Sequence, residues 1–456
     1  MKVFYYRLKK LLPKTEFERN ILTLMTGSIV AQALPVAISP ILTRLYSPED
    51  FGIFALYMSC ATIISVIATG RYELAIMLPS NDIDAINLTM LSAIISLFIS
   101  ILSLIILYFF HEQILTLLGN KEISQWLYIV PITVFLTGLY QSMNYWMNRK
   151  KHYANLSSSR IVKGSTSSAA SIAFGFSGFR KQGLIMGEII SLFASVFFIG
   201  ILFCKKYKSF FRHISKKKIK QQAIQYKSFP KFDILNALLF SLSKNGVIIL
   251  LTRFYGGGAV GFYSFTQKIL ITPFHFFTNS FSQVFYQKLA DNYNKNQTNF
   301  SKLLNKAIDK MVIFITIPLL LFVILSKYFI PFIFGENWKD LYQYVCILSP
   351  FIYLNLIVVP VSFVLKVISK QKLSLILNFF LFLAQTVTIA VSSHILNYDI
   401  LTTLFLFSII SFFVLFINTL IILRVAKARQ ISNLFLLSFL LIILYYLALI
   451  KVHYYG

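Results

Sequence analysis

The chain has 456 residues, of which 57% are hydrophobic and 13% are charged, and its formal net charge at pH 7 is +27. Soluble domains are about half apolar and about a quarter charged, so this composition excludes an ordinary water-soluble fold. The basic residues lie between apolar runs and form no aromatic-interleaved surface, which argues against a nucleic-acid partner. The solvent that this composition fits is the lipid bilayer.

Apolar runs long enough to cross a hydrocarbon core recur along the chain and predict an all-α, polytopic membrane protein. The first run is too long for a removable signal sequence, so we interpret it as a permanent helix. We predict thirteen spans, near residues 20–43, 51–79, 85–110, 123–147, 153–176, 182–203, 228–252, 259–287, 308–330, 341–367, 373–396, 399–423 and 432–450.

Lysine and arginine residues give the predicted orientation of these spans. With a cytoplasmic N-terminus, the inside segments hold most of the basic residues, as the positive-inside rule requires. These segments are 1–19, 80–84, 148–152, 204–227, 288–307, 368–372 and 424–431.

An internal repeat indicates two related halves. The sequence LTRLYSPEDFGIFALY (residues 42–57) aligns without a gap with LTRFYGGGAVGFYSFT (residues 251–266). Each copy lies between the first and second span of its half, on the same predicted side, so we expect a pseudo-two-fold axis along the membrane normal. We interpret the motif as architectural: its glycines suit a tight turn, and its arginines hold helix ends to headgroups or to a neighbouring helix. The equivalent residues are Arg44 and Gly52 in one copy and Arg253 and Gly261 in the other.

The repeat and the basic connections together predict the domain organisation. The predicted order is a basic cytoplasmic N-terminus (1–19), an N-lobe of helices 1 to 6 (20–203), a basic cytoplasmic linker (204–227), a C-lobe of helices 7 to 12 (228–424) and an additional C-terminal transmembrane helix (432–450). We interpret the linker chiefly as a solvated loop, although its lysines would also attract anionic headgroups.

Charged residues inside spans mark candidate functional positions, because a charge at bilayer depth costs a few kcal/mol or more. The basic residues at such positions are Arg71, Arg160, Lys163, Lys231, Lys244 and Lys268, and the acidic ones are Glu73, Glu188 and Asp233. Lys231 and Asp233 begin a helix at the interface. The remaining residues leave a net positive interior.

Arg160 and Lys163 are three residues apart, so they share a helix face and repel each other unless an anion or an acid lies between them. Serines and a threonine surround them in SSSRIVKGSTSSAAS (residues 157–171), and we favour a water-lining role over close helix packing for these polar side chains. Lys244 lies in mid-span, so we favour its exposure to a cavity. Lys268 is intermediate between exposure to a cavity and a position at the interface.

Arg71 and Glu73 would be about 200° apart on an α-helix, so we expect them to face different ways. Arg71 then either faces a cavity or extends to the headgroups.

Energy coupling is expected from a H⁺ or Na⁺ gradient, since no GxxxxGK[ST] phosphate-binding loop occurs. Glu188 and Glu73 are the candidates for ion coupling, and Glu188 can alternatively pair with Arg160 or Lys163 on a neighbouring helix. The three cysteines and six histidines have no metal-ligand spacing, so we expect no metal site, no resident cofactor and no catalytic residue.

The opening FERNILTLMTGSIVAQALPVAISPILTRLYSPEDFGIFALY, with ATGRYELAIMLP (residues 68–79), resembles the start of Wzx-type O-antigen and polysaccharide flippases. These belong to the multidrug/oligosaccharidyl-lipid/polysaccharide (MOP) exporter superfamily. The likeness is strongest over about the first 80 residues, and the later hydropathy is compatible with it. The run 432–450 departs from the twelve-helix core.

The resemblance implies a V-shaped pair of lobes around a cavity that opens alternately to each side of a bacterial inner membrane. Its implied cargo is undecaprenyl-pyrophosphate carrying an oligosaccharide repeat unit, and its implied partners are membrane lipids, a polysaccharide polymerase and a chain-length regulator. It implies a transporter and not an enzyme. The cationic lining of that cavity would then comprise Arg71, Arg160, Lys163, Lys244 and Lys268.

Three other functions compete with this hypothesis. A multidrug antiporter would need an acidic cavity for cationic drugs, whereas the predicted interior is basic. A membrane glycosyltransferase or ligase would need a catalytic carboxylate or a large external loop. The nearest alternative is a peptidoglycan-precursor flippase, whose cargo carries the same lipid and pyrophosphate.

Overall fold

A computed structural model describes residues 29–293, 297–368, 370–426 and 433–455. These residues are mostly helical and contain no β-strand. The predicted N-terminal segment 1–19 and the start of the first predicted span lie outside them. The α-helices of eight or more residues are α1 (Ile29–Leu45), α2 (Pro48–Ser65), α3 (Asp82–Phe109), α4 (His111–Leu118), α5 (Val130–Arg149), α6 (Tyr153–Phe176), α7 (Arg180–Tyr207), α8 (Lys216–Gln225), α9 (Ile234–Tyr293), α10 (Gln297–Phe334), α11 (Leu341–Val367), α12 (Gln371–Ala390), α13 (Ile400–Val425) and α14 (Asn433–Tyr455).

Seven helices of the described chain are long and apolar enough to cross a membrane, or eight if the bent pair Lys121–Leu127 and Val130–Arg149 forms one span. This number is below the thirteen predicted spans. The apolar lengths of α1 and α14 are short, and the serines and charges of α6 lower its hydropathy.

Two predicted spans, 228–252 and 259–287, lie largely on the two sides of a break in α9. Its apolar part, Phe229–Phe274, has 46 residues, which is about 69 Å of straight helix against a hydrocarbon core of about 30 Å. Gly256 divides it, because its φ of 80° and ψ of 179° are not helical. Two helices therefore meet at Gly256, in the segment where the sequence predicts a tight turn.

The described chain forms two compact units. Unit 1 comprises the described parts of 1–38, 60–111 and 125–238, and unit 2 comprises those of 39–59, 112–124 and 239–456. These boundaries differ from the predicted lobes, because 39–59 and 112–124 pack with the second half of the chain. The predicted linker 204–227 is part of unit 1 and packs against it through apolar side chains, while most of its basic side chains are exposed.

The two copies of the repeat cross each other in unit 2. A Cβ atom added to Gly52 would overlap the carbonyl oxygen of Gly257, and one added to Gly261 would overlap the carbonyl oxygen of Pro48. Pro48 and Gly257 occupy equivalent positions of the repeat, so the two contacts are reciprocal. Only glycine lets the backbones approach this closely.

The repeated arginines of unit 2 also make equivalent contacts. Arg253 donates hydrogen bonds to the carbonyl oxygens of Thr116 (2.6 Å) and Leu117 (3.0 Å) at the end of α4. Arg44 donates one to the carbonyl oxygen of Phe332 (3.4 Å) at the end of α10. Each helix then ends at a glycine with positive φ, Gly119 or Gly335, and Thr116 and Phe332 each lie three residues before that glycine. Both arginines thus cap neighbouring helices, which was one of their two predicted roles.

The additional C-terminal helix, α14, packs inside unit 2. The Tyr446 hydroxyl lies 2.8 Å from the Ser408 hydroxyl of α13, and the Tyr445 hydroxyl donates to the Cys346 carbonyl oxygen of α11 at 3.1 Å. Phe439 stacks on Phe416 with ring centroids 3.7 Å apart. The predicted additional C-terminal helix therefore has a packing role within unit 2.

Candidate functional site

Lys163 and Glu188 form an ion pair between α6 and α7 of unit 1. The Lys163 Nζ atom lies 3.0 Å from Glu188 Oε1, and the side chains are 36% and 12% exposed, respectively. The pairing of Glu188 with a cation of the neighbouring helix, which we considered from the sequence, is thus present. Because Lys163 keeps over a third of its surface open, it can contact a second anion without leaving the helix face.

Close packing brings α6 and α7 together. A Cβ atom on Gly187 of α7 would overlap the Ser171 hydroxyl of α6, and one on Gly164 would lie 2.6 Å from the Ala31 carbonyl oxygen of α1. Four serines of α6 are buried: Ser157, Ser159, Ser168 and Ser171. The prediction that these serines line water is therefore wrong for these four, because their small side chains pack helices instead.

Arg160 lies one turn before Lys163 on α6 and is half-buried. The spacing of three residues places it on the same face as Lys163, as predicted. We refer to these two cations and Glu188 as the α6 charge group.

Arg71 and Glu73 also pair within unit 1, with Arg71 Nη1 3.3 Å from Glu73 Oε1. The prediction that they face different ways is wrong, because α2 ends at Ser65 and the segment is not α-helical. Arg71 has a φ of 61° and precedes a 3₁₀-helix, Tyr72–Met77. Glu73 is 1% exposed and also accepts a hydrogen bond from the Thr69 hydroxyl.

Lys244 and Lys268 belong to unit 2. Lys244 is exposed, and its Nζ atom lies 4.6 Å from the ring centroid of Phe240, one turn earlier on α9. Lys268 is half-buried. Neither forms an ion pair with a carboxylate in the part of the chain that the structure describes.

Sequence reasoning missed a charged cluster at the start of α3. Asp82 Oδ1 lies 3.0 Å from Arg149 Nε, and Asp82 Oδ2 also pairs with Lys150. The Lys150 Nζ atom lies 5.5 to 5.9 Å from the ring centroids of Phe210, Trp146 and Tyr207. The cluster fastens the end of α5 to α3 and α7. The sequence offered only an acidic residue, Asp82, at a helix start and two basic residues, Arg149 and Lys150, at a helix end. It did not show that these residues lie close in space.

His152 lies beside this cluster, between α5 and α6. Its Nε2 atom is 2.6 Å from the Tyr207 hydroxyl. Burial lowers the pKa of His152 below its ordinary value, and the positive charges of Lys206 and Lys150 lower it further. The neutral imidazole is therefore the form that this site favours.

No group of three or more histidine, cysteine, aspartate or glutamate side chains that could hold a metal ion occurs among the described residues. The charged sites are thus ion pairs, and the cations among them outnumber the acids. Such sites suit anionic ligands.

A sequence profile described as "Polysaccharide biosynthesis protein" matches residues 41–343, about two thirds of the chain. The chain belongs to the polysaccharide biosynthesis protein family. The match includes α6 and α7 and one complete copy of the repeat on each side of them. The prediction from the opening residues that this chain belongs to a polysaccharide biosynthesis family is confirmed.

Two curated relatives are distant in sequence. The chain is 21% identical over 357 residues to an uncharacterized membrane protein in the cps region of Klebsiella pneumoniae, covering 74% of this chain and 68% of that protein. It is 24% identical over 241 residues to the teichuronic acid biosynthesis protein TuaB of Bacillus subtilis (strain 168), covering 52% of this chain and 48% of that protein. The chain thus spans about half of the length of TuaB.

Solved structures identify the fold. An inward-facing multidrug resistance MATE family transporter of the MOP superfamily matches with a TM-score of 0.66 and 15% identity, covering 89% of this chain and 94% of that chain. The lipid II flippase MurJ, in an inward closed conformation, matches with a TM-score of 0.64 and 16% identity, covering 95% of this chain and 98% of that chain. The predicted all-α fold with membrane-spanning helices is therefore confirmed.

Proposed function

We propose that this polysaccharide biosynthesis protein moves an oligosaccharide repeat unit, linked to undecaprenyl pyrophosphate, across a bacterial inner membrane. The proposed direction is from the cytoplasmic to the periplasmic leaflet, with a cytoplasmic N-terminus and alternating access. The repeat unit belongs to O-antigen or a related surface polysaccharide. A polysaccharide polymerase, with its chain-length regulator, would receive the product.

The observation that carries this proposal is the family match over residues 41–343. Polysaccharide precursors are anionic at the pyrophosphate and apolar at the polyprenyl chain. The α6 charge group fits the anionic part, because Lys163 is half-open and Arg160 lies one turn away. In unit 2, Lys244 and Lys268 are further cations at span depth that lack a described carboxylate partner.

The Lys163–Glu188 pair gives this site an exchange mechanism. At rest, Glu188 neutralises Lys163 and lowers the cost of a charge at bilayer depth. A pyrophosphate carries more negative charge than one carboxylate, so it competes for Lys163 and lowers the barrier to moving the headgroup through a low dielectric. Arg71 is held by Glu73 in the same way and is a second exchangeable cation of unit 1.

The same exchange offers a route to energy coupling. When pyrophosphate displaces Glu188, the carboxylate is left without its cationic partner and can bind a proton in its place. In the outward-facing state this proton would come from the periplasm. After the cargo has left, its release into the cytoplasm would let the Lys163–Glu188 pair re-form, so the proton moves opposite to the cargo. We therefore propose coupling to a H⁺ gradient, with Na⁺ as the alternative ion and Glu73 as the second candidate acid.

Complementation of a gene deletion tests the site. The deleted strain is restored with the parent protein, Lys163→Ala, Lys163→Arg, Arg160→Ala/Lys163→Ala or Lys244→Ala, and surface polysaccharide is measured at equal membrane protein levels. Loss of one charge-assisted contact is worth about 1.5–3 kcal/mol, or roughly a 10- to 100-fold loss of transport. Lys163→Arg should retain most of the activity.

Lys372→Ala is the matched control, since Lys372 is exposed and lies at the start of α12. It should restore polysaccharide fully. Equal restoration by Arg160→Ala/Lys163→Ala and Lys244→Ala would refute the proposed cation sites, whereas failure of the parent protein to restore any polysaccharide would refute the function.

A peptidoglycan-precursor flippase is the second candidate, favoured by the likeness to MurJ over 98% of that chain. Its cargo would use the same cations, and only the sugars differ. Expression in a strain depleted of its lipid II flippase distinguishes the two: growth rescue supports the alternative, and no rescue with restored surface polysaccharide supports the main proposal. A multidrug antiporter shares the fold, but cationic drugs would be repelled by the cations of the α6 charge group.

A further inference from the structure

The predicted linker contains a surface of closely spaced cations. Residues 204–227 hold nine lysine or arginine residues and no acidic residue. Those that are exposed form what we call the cationic shelf: Lys205, Lys206, Lys208, Arg212, Lys216, Lys217, Lys220 and Lys227. In the described chain, none of these eight forms an ion pair with a carboxylate.

Apolar packing fixes the shelf to unit 1. Ile214, Ile219 and Ala223 pack against a buried cluster that includes Tyr72 and Ile86. The backbone of the shelf is therefore held in place by the core of unit 1, and its cations project from a fixed surface.

Hydrogen bonds hold the same segment at both ends of α8. The Tyr72 hydroxyl donates to the Ala223 carbonyl oxygen at 2.9 Å. Before α8, the Asn87 side chain donates to the His213 carbonyl oxygen at 3.2 Å and accepts from the Ser215 amide at 3.1 Å. These contacts leave the segment little freedom to move away from α3.

The charge distribution of α8 opposes its own helix dipole. Three lysines, Lys216, Lys217 and Lys218, occupy its first turn, and no acidic residue lies there. Cations at a helix N-terminus are destabilising, so these lysines do not serve the stability of α8. An anion outside the protein would relieve the repulsion.

The position of the shelf indicates which anion this is. The shelf begins at the end of a candidate membrane span, Gln182–His213, and continues directly after it. Large apolar side chains stand exposed among the cations: Phe211 is 39% exposed and Ile224 is 57% exposed. Cations beside exposed apolar side chains are the pattern of a segment in the headgroup region of a membrane.

We propose that the cationic shelf binds anionic phospholipid headgroups of the leaflet at which span Gln182–His213 ends. Phe211 and Ile224 enter the acyl-chain boundary, while the lysines contact phosphates. The shelf thereby fixes unit 1 to the membrane surface. This role is independent of the transported cargo.

The full-length protein in lipid nanodiscs tests the proposal. Thermal unfolding and lipid retention by native mass spectrometry are compared in phosphatidylcholine alone and with phosphatidylglycerol added. The test variant is Lys216→Gln/Lys217→Gln/Lys220→Gln. The matched control, Lys121→Gln/Lys339→Gln/Lys372→Gln, removes three exposed lysines outside the shelf.

We expect phosphatidylglycerol to stabilise the parent and the control and to be retained by both. The shelf variant should retain at least about tenfold less phosphatidylglycerol than the parent. In phosphatidylcholine alone, the shelf variant should unfold at the same temperature as the parent or a higher one, because the opposing charges are gone. This second result separates loss of lipid binding from misfolding.

Equal retention of phosphatidylglycerol by the shelf variant and the control would overturn the proposal. A second experiment distinguishes lipid from a soluble phosphate compound. Inorganic polyphosphate, a soluble polyanion, is added to the protein in phosphatidylcholine. If polyphosphate stabilises the parent as much as phosphatidylglycerol does, and phosphatidylglycerol is not retained, the shelf binds a soluble phosphate compound and the lipid assignment is wrong.

Discussion

The repeat crossing in unit 2 and the α6 charge group in unit 1 both contain basic residues near a glycine contact, but they use them differently. At the crossing, Arg44 and Arg253 bind backbone carbonyl oxygens at helix ends. In the charge group, Lys163 binds a carboxylate and stays partly open. A carbonyl oxygen cannot be titrated, whereas a carboxylate can be protonated or displaced. The first arrangement suits permanent architecture and the second suits exchange.

The largest expected effect is steric and belongs to the crossing. Gly52→Ala and Gly261→Ala each place a methyl group onto a backbone carbonyl oxygen, and the overpacking should cost about 3 kcal/mol of unfolding free energy. The measurement is thermal unfolding of the purified protein. Gly258→Ala is the matched control, because nothing lies within 4 Å of its added Cβ. Similar unfolding temperatures for all three variants would mean that the copies do not cross as described.

Changes in the α6 charge group should alter the rate of transport. Glu188→Gln leaves Lys163 without its anion and removes the group that we propose to bind a proton, so transport should fall by about tenfold. The remaining transport should lose the pH dependence of the parent. Flipping is measured in proteoliposomes with an imposed pH gradient. A Glu188→Gln protein with the parental pH profile would exclude Glu188 from coupling and leave the pair a structural role.

The two arginines of the crossing should contribute slightly different amounts to the free energy of unfolding. Arg253 donates two hydrogen bonds, at 2.6 and 3.0 Å, and Arg44 donates one at 3.4 Å. Because both are exposed, we expect Arg253→Ala to cost about 1 kcal/mol and Arg44→Ala less. Thermal unfolding checks the order. The prediction fails if Arg44→Ala is the more destabilising, and if either variant changes the pH dependence of transport, the contrast with Lys163 is lost.

The smallest effect separates a second source of pH dependence from Glu188. Since the folded protein lowers the pKa of His152, neutral His152 stabilises the fold above the unfolded pKa of about 6.5, and this contribution is lost as pH falls through the lower folded pKa. The free energy of unfolding of the parent should fall between pH 7 and pH 5. His152→Gln should therefore reduce this fall by less than about 1 kcal/mol. Its transport profile should match the parent. An unchanged slope of stability against pH would show that His152 does not titrate in this range.

Local sequence features predicted the helical class, the repeat and the cationic positions within spans. Where the predictions failed, an irregular backbone or a contact between distant residues decided the outcome. Arg71 and Glu73 were placed apart because a regular helix was assumed, and the turn at Gly70 and Arg71 brings them together. The serines of α6 appeared to suit water, but Gly187 and Gly164 allow neighbouring helices to cover them.

The sequence alone determined the solvent and the symmetry of this protein. Hydropathy requires a bilayer, because apolar runs of this length have a high cost in water, and the two copies of LTR-x-Y with their glycines identify equivalent positions. Only the tertiary structure decided which groups meet. Gly52 and Gly257, or Lys163 and Glu188, are far apart along the chain, and a periodic pattern shows which face a residue occupies but not which partner faces it.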